Sequence, residues 1–254
     1  MSKKFKWFVR VVFWLYMLYV YITIFKQNSF YSFLLLNTFL AYIPIELSFH
    51  MNEKQPALLF WLLFVLWILF YPNAPYILTD LFHLARMNPY NPKNGLMSFN
   101  LHLWLNFTNL VASALASIVI GTWSVQYIVD VLMVRFKKKG TFLQILLVIL
   151  LLVVSSIGVY IGRFLRLHTA YLFINPDWVM QQLMNMWNIR MLVFICFMLI
   201  LQLIVWGAFF ISRMSLNTYE ATNNLKVVST PKASANTYVS EAPIHADKKN
   251  DSPT

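Results

Sequence analysis

Six apolar stretches, near residues 7–25, 30–49, 57–79, 100–122, 141–161 and 191–211, constrain this chain more than anything else in it. Each approaches the roughly 20 residues that an α-helix needs to cross about 30 Å of hydrocarbon. In lipid a chain must satisfy its own backbone N–H and C=O groups, and apolar runs of this length do so as helices. The expected fold is therefore an all-α polytopic membrane bundle of about six transmembrane helices. Composition agrees, with 59% of 254 residues hydrophobic and only 11% charged, against roughly 25% charged in a soluble domain. A single cysteine, Cys196, excludes an internal disulfide and any cysteine-based zinc or iron–sulfur site.

Twenty Lys and Arg against nine Asp and Glu leave a net charge of +11. Such a surplus can signal nucleic acid, but here the charges sit between apolar runs, so the partner is the bilayer. The first run opens with Lys3, Lys4, Lys6 and Arg10 and lacks a small-residue cleavage site, so it reads as an uncleaved anchor. With the N-terminus in the cytoplasm, 14 basic residues fall inside and six outside: Lys26, Arg86, Lys93, Arg163, Arg166 and Arg190. Both termini are then cytoplasmic. Residues 1–213 form the transmembrane domain, and 214–254, rich in Ser, Thr, Asn, Ala and Lys, are expected to be a disordered tail.

Polar residues inside a span must find a partner or line a wet cavity. His102, Asn106, Asn109, Ser113 and Ser117 recur at helical spacing and form one polar stripe on the fourth span. It is either a hydrogen-bonded packing seam or the lining of a cavity. Ser113, Ser117 and Gly121, and separately Gly158 and Gly162, are small residues four apart, which permits close helix contact. Asn37, Pro44 and Glu46 lie in the second span, and Glu46, near its cytoplasmic end, is either neutralised by Lys54 or reaches the interface. Asp130 reads as an interfacial acid beside Arg135 and Lys137–Lys139.

The third span meets Pro72-Asn73-Ala74-Pro75. Two prolines three apart cannot sit in an unbroken helix, because each lacks an N–H and crowds the carbonyl four residues earlier. The helix is expected to break there, freeing the carbonyls of Ile68 and Tyr71. Asn73 then caps a second helix that carries Tyr76, Asp80, His83 and Met87 on one face. Where the fifth span ends, Arg163 and Arg166 are three apart and share a helical face, a fork suited to carboxylate or phosphate. Asn175-Pro176-Asp177-Trp178 reads as a helix start with its cap, first-turn proline and dipole-matched acid. All of these elements fall on the outer side, so Asp80, His83, Arg163, Arg166, His168 and Asp177 can converge. No HExxH, P-loop, nucleophile elbow or dinucleotide fingerprint is present, no metal site has diagnostic spacing, and no cofactor is implied.

The block from Pro72 to Leu84 and the block from Gly158 to Arg166 resemble a bacterial multi-pass integral-membrane family, number 1361 among the domains of unknown function. A weaker likeness runs through Asn37, Ala41 and Pro44, and the resemblance covers roughly residues 35–210. It implies a multi-pass protein of the bacterial cytoplasmic membrane and no reaction. The chain departs from the family pattern after Arg166: it reads Leu167-His168-Thr169-Ala170-Tyr171, with no acid at 171.

These readings point to a site open to the extracytoplasmic leaflet for an anionic headgroup or a lipid-linked glycan precursor. Asn73, Arg163 and Arg166 bind the anion, and Asp80 and His83 orient them or do acid–base work. Two alternatives stay open. One is a small transporter or channel component, with the break and the His102, Asn106, Asn109 and Ser113 stripe lining a path. The other is a non-catalytic membrane assembly partner.

Overall fold

The structure is a computed structural model that describes residues 2–25, 30–86, 88–91, 94–97, 99–166 and 174–229. Among these residues there are helices and no strand. The helices are α1 (Lys3–Val20, continued by a π-turn over Tyr21–Phe25), α2 (Phe33–Phe49), α3 (Ala57–Phe70) and α4 (Asn73–Asp80). They are followed by α5 (Leu101–Arg135), α6 (Thr141–Tyr160, continued by a π-turn over Ile161–Leu165), α7 (Pro176–Asn185) and α8 (Ile189–Ser229). Five helical stretches are long and apolar enough to cross a membrane: Lys3–Phe25, Ala57–Arg86, Leu101–Arg135, Thr141–Leu165 and Ile189–Leu216. The protein is an all-α membrane bundle.

Helix starts follow the local chemistry. Ser2 Oγ accepts from the Phe5 N–H, and the Asn100 side chain accepts from the N–H groups of His102 and Leu103. Asn175 caps α7 through the Trp178 N–H, with Pro176 in the first turn and Asp177 beside it, as its sequence suggests.

Two segments depart from their expected bounds. The fourth span does not stop near 122, because α5 runs on to Arg135 and rises about 52 Å. In α8 the backbone stays helical to Ser229, well into the segment where composition suggested disorder from 214. Nothing between Gly207 and Pro231 would stop it, since neither proline nor glycine occurs there. The chain divides into a unit of Met1–Phe210 and one of Ile211–Thr254.

The core of the first unit lies where α3, α4, α5 and α6 meet, around Trp67, Tyr71, Ala74, Ile77, Val125 and Leu152. The interruption at Tyr71–Pro72 sits at its centre. Tyr71 and Pro72 keep right-handed helical dihedrals, so the chain makes a tight turn there. Asn73 is not the cap of α4; Pro72 holds that position without a side-chain cap. The Asn73 amide instead donates to the Phe70 carbonyl at 2.9 Å, and the Tyr71 carbonyl accepts the Ala74 N–H at 2.9 Å. The Phe70 and Tyr71 carbonyls are thereby satisfied within the turn.

Two glycines make room for this turn. A Cβ built on Gly158 of α6 would lie 2.5 Å from Pro72 Cγ, and one on Gly121 of α5 would lie 2.7 Å from Ala74 Cβ. Both contacts are with atoms that cannot swing away. At Gly162 the nearest atom, on the Tyr76 ring, is 3.5 Å off, an ordinary contact. The small-residue spacing read from sequence is thus a seat for the interrupted helix.

Gly158→Ala and Gly121→Ala should each destabilise the bundle by about 1–3 kcal/mol, the usual cost of overpacking, whereas Gly162→Ala should stay near wild type. Thermal unfolding of the purified protein in detergent distinguishes the three; equal melting temperatures would remove the seat from the argument.

Candidate functional site

Asp80, the last residue of α4, is 1% exposed, a costly place for a carboxylate unless it is paired. It is paired on both oxygens. Asn37 of α2 donates its amide to Oδ2 at 2.7 Å, and Arg163 donates Nη1 to Oδ1 at 3.3 Å. Arg163 is itself fixed in several ways. Its Nη2 donates to the Thr79 carbonyl at 3.1 Å, its Nη1 reaches the Tyr76 hydroxyl at 3.4 Å, and the guanidinium lies 5.7 Å from the Tyr76 ring centre. One acid thus gathers the second, fourth and sixth helices of the chain at one end of the bundle.

His83 follows in the 3-10 segment Leu81–Arg86. Its Nδ1 lies 2.9 Å from the Asp80 carbonyl and 4.0 Å from Oδ1, and its ring packs on Phe33 with centres 4.3 Å apart. Asp80, His83 and Arg163 therefore come together as the sequence suggests. Asn73 and Arg166 do not join them. Asn73 is used on the backbone turn, and the shared face expected of Arg163 and Arg166 is lost because the π-turn over Ile161–Leu165 resets the register. Arg166 then takes a left-handed conformation, φ 50°, and is exposed, with no ion pair among the described residues. His168, Tyr171 and Met87 lie outside the described residues.

The polar stripe divides in two. Its upper members are open, His102 exposed and Asn106 half-buried. The lower members are packed: Ser113 shares a 2.6 Å hydrogen bond with Thr38 of α2, the Asn109 carbonyl accepts from Tyr16 of α1, and Ser117 is buried. That half is a helix-packing seam.

At the other end of α2, Glu46 is not neutralised by Lys54. Arg10 of α1 takes it through Nη2 at 2.5 Å and Nε at 3.0 Å, with the Tyr42 hydroxyl at 2.5 Å and His50 Nε2 at 2.9 Å. Lys6 donates to the Phe49 carbonyl alongside. Asp130 is more than an interfacial acid: the side-chain amides of Gln126 and Gln144 donate to its Oδ1 at 2.8 and 2.6 Å.

Sequence reasoning passed over a further set of buried polar residues. Trp206 donates its indole N–H to Gln126 at 2.8 Å; one turn away Gln202 donates to Ser156 at 2.9 Å and accepts from the Tyr71 hydroxyl at 3.4 Å. Together they form a polar seam through α3, α5, α6 and α8. Each glutamine is alone in its apolar surroundings, so only the i, i+4 spacings Gln126–Asp130 and Gln202–Trp206 hinted at it.

Among known proteins, the model of the family described as a protein of unknown function (DUF1361) matches residues 36–205. That is 170 of the 254 residues. The chain belongs to this family. No curated protein and no solved structure matches. The DUF1361 match takes in Asn37, Asp80, His83, Arg163 and Arg166 together with both seating glycines.

Arg163→Ala would leave the Asp80 carboxylate buried without its cation and should cost about 3 kcal/mol or more. Adding Asp80→Asn in the same chain should recover part of that loss, so a double-mutant cycle on unfolding should give a clear coupling energy. Additive effects would mean that the pair contributes nothing jointly.

Proposed function

We propose that the protein is a membrane-embedded binding protein of the bacterial envelope. Its extracytoplasmic site, centred on Arg163 with the exposed Arg166 approaching from a different face of the turn, takes an anionic headgroup, that of a phospholipid or of a lipid-linked glycan precursor. One observation carries this reading. Arg163 is anchored from behind by a buried carboxylate and a carbonyl while 24% of its side chain stays exposed, and Arg166 stands exposed three residues on. A guanidinium held in place loses little further freedom when it meets an anion, and its planar fork suits phosphate. In this reading Asp80 positions Arg163 and does not touch the ligand, since it is buried and occupied on both oxygens. His83 borders the same spot.

The charge balance supports the reading. The six basic residues of the outer loops face two acids, Asp80 and Asp177, which leaves +4 at that end. The N-terminal basic cluster supports a cytoplasmic N-terminus.

A second reading, a small transporter component, gains from the polar seam of Gln126, Gln202 and Trp206, which extends polarity towards Asp130. Those groups are bonded to one another within the packed core, however, which suits a seam better than a path.

Binding is tested with purified protein in nanodiscs, by thermal shift and native mass spectrometry with phosphatidylglycerol, phosphatidylcholine and inorganic phosphate as probes. Phosphatidylglycerol should stabilise the wild type, and Arg166→Ala should weaken that binding about tenfold or more, as for loss of one hydrogen bond to a charged group. A response to phosphate alone would make the ligand a free anion, and equal responses to both lipids would remove the site. Substrate-dependent flux in proteoliposomes would favour transport instead.

A further inference from the structure

A cavity of about 220 Å³ opens between α1, α2 and α5, with Val12, Phe13, Tyr16, Thr38, Ala112, Ser113 and Ala116 in its lining. It takes no part in the anion site. Its polar atoms are already spent inside the protein, Thr38 on Ser113 and the Leu34 carbonyl, and Tyr16 on the Asn109 carbonyl. The lining therefore offers nothing to a polar ligand, and a dry apolar space of this size admits apolar groups and excludes water.

Depth narrows the occupant further. Val12 lies two residues past Arg10 on α1, and Ala112 and Ala116 stand at least three turns inside α5, so the opening runs inward along the apolar part of the bundle from the level of the Arg10–Glu46 pair. Its mouth is continuous with the lipid-facing surface, where Val12 is 45% and Leu115 55% exposed. We infer that this groove is a binding site for one hydrocarbon chain of a bilayer lipid, held between α1 and the α2–α5 pair.

The test is photolabelling of the full-length protein. Vesicles carry phosphatidylcholine with a diazirine midway along one acyl chain, and labelled residues are mapped by mass spectrometry. Labels should concentrate on Val12, Ala112 and Ala116, above the level at Leu150 and Ile204, which face lipid elsewhere at 56% and 64% exposure. Ala116→Trp, which fills the groove, should lose most of the labelling at Val12 and Ala112 and leave Leu150 unchanged. Arg166→Ala, which probes the anion site, should leave groove labelling intact, so the two proposals fail separately. Even labelling of all lipid-facing helices in the wild type would overturn the inference without recourse to any variant. Crosslinks joining Val12 of two copies would overturn it as well, by making the occupant a second chain.

Discussion

The fold depends on one constraint: two prolines interrupt a helix where no water is available to satisfy the freed backbone. A soluble protein could solvate such a break. In hydrocarbon each unsatisfied carbonyl costs several kcal/mol, so irregular backbone survives only where protein encloses it. Here the enclosure is specific. Asn73 turns back on the Phe70 carbonyl, Ala74 supplies the N–H that Pro75 cannot, and Gly121 and Gly158 bring two neighbouring helices against the turn. The interruption therefore fixes the packing of α4, α5 and α6, and that packing delivers Asp80 and Arg163 to each other.

Asp80 answers a second version of the same problem. A carboxylate in this position is tolerable only with its charge matched and its lone pairs filled, and Asn37 and Arg163 do both from different helices. Removing either partner would leave an exposed cost in place of a contact. The arrangement also has a consequence at the surface: the cation that satisfies Asp80 is held with one edge facing out. The residue that closes this structural ion pair is also the one that reaches the surface.

Much of this was legible in the sequence. Proline spacing located the interruption, four-residue intervals of glycine and serine located the close contacts, and residue type singled out Asp80, His83 and Arg163. The failures share a cause. Periodicity assumes a regular helix, and Arg166 left the face of Arg163 because a π-turn intervened, something no side-chain pattern announces. Asn73 has the residue type of a cap, but its amide serves the Phe70 carbonyl, whose own i+4 donor, the Ala74 N–H, has turned to Tyr71. Nearness along the chain offers Lys54 to Glu46, whereas the fold brings Arg10 to it from 36 residues away. Lone glutamines such as Gln202 carry no pattern until the helix opposite is known.

Helix α2 shows why length rules mislead inside a bundle. Its 17 residues rise about 26 Å, short of a full crossing. Length matters for a helix that must match lipid along its own surface, and α2 is exposed only at Leu36 and Phe39. Eight of its residues are buried, against two of the 14 in α3. Along it, Asn37 reaches Asp80 of α4, Thr38 reaches Ser113 of α5, and Glu46, to which Tyr42 donates from the turn before, reaches Arg10 of α1. Those contacts join its two ends to the Asp80–Arg163 and Glu46–Arg10 pairs. A short helix suffices at this position because protein, and not hydrocarbon, is its solvent.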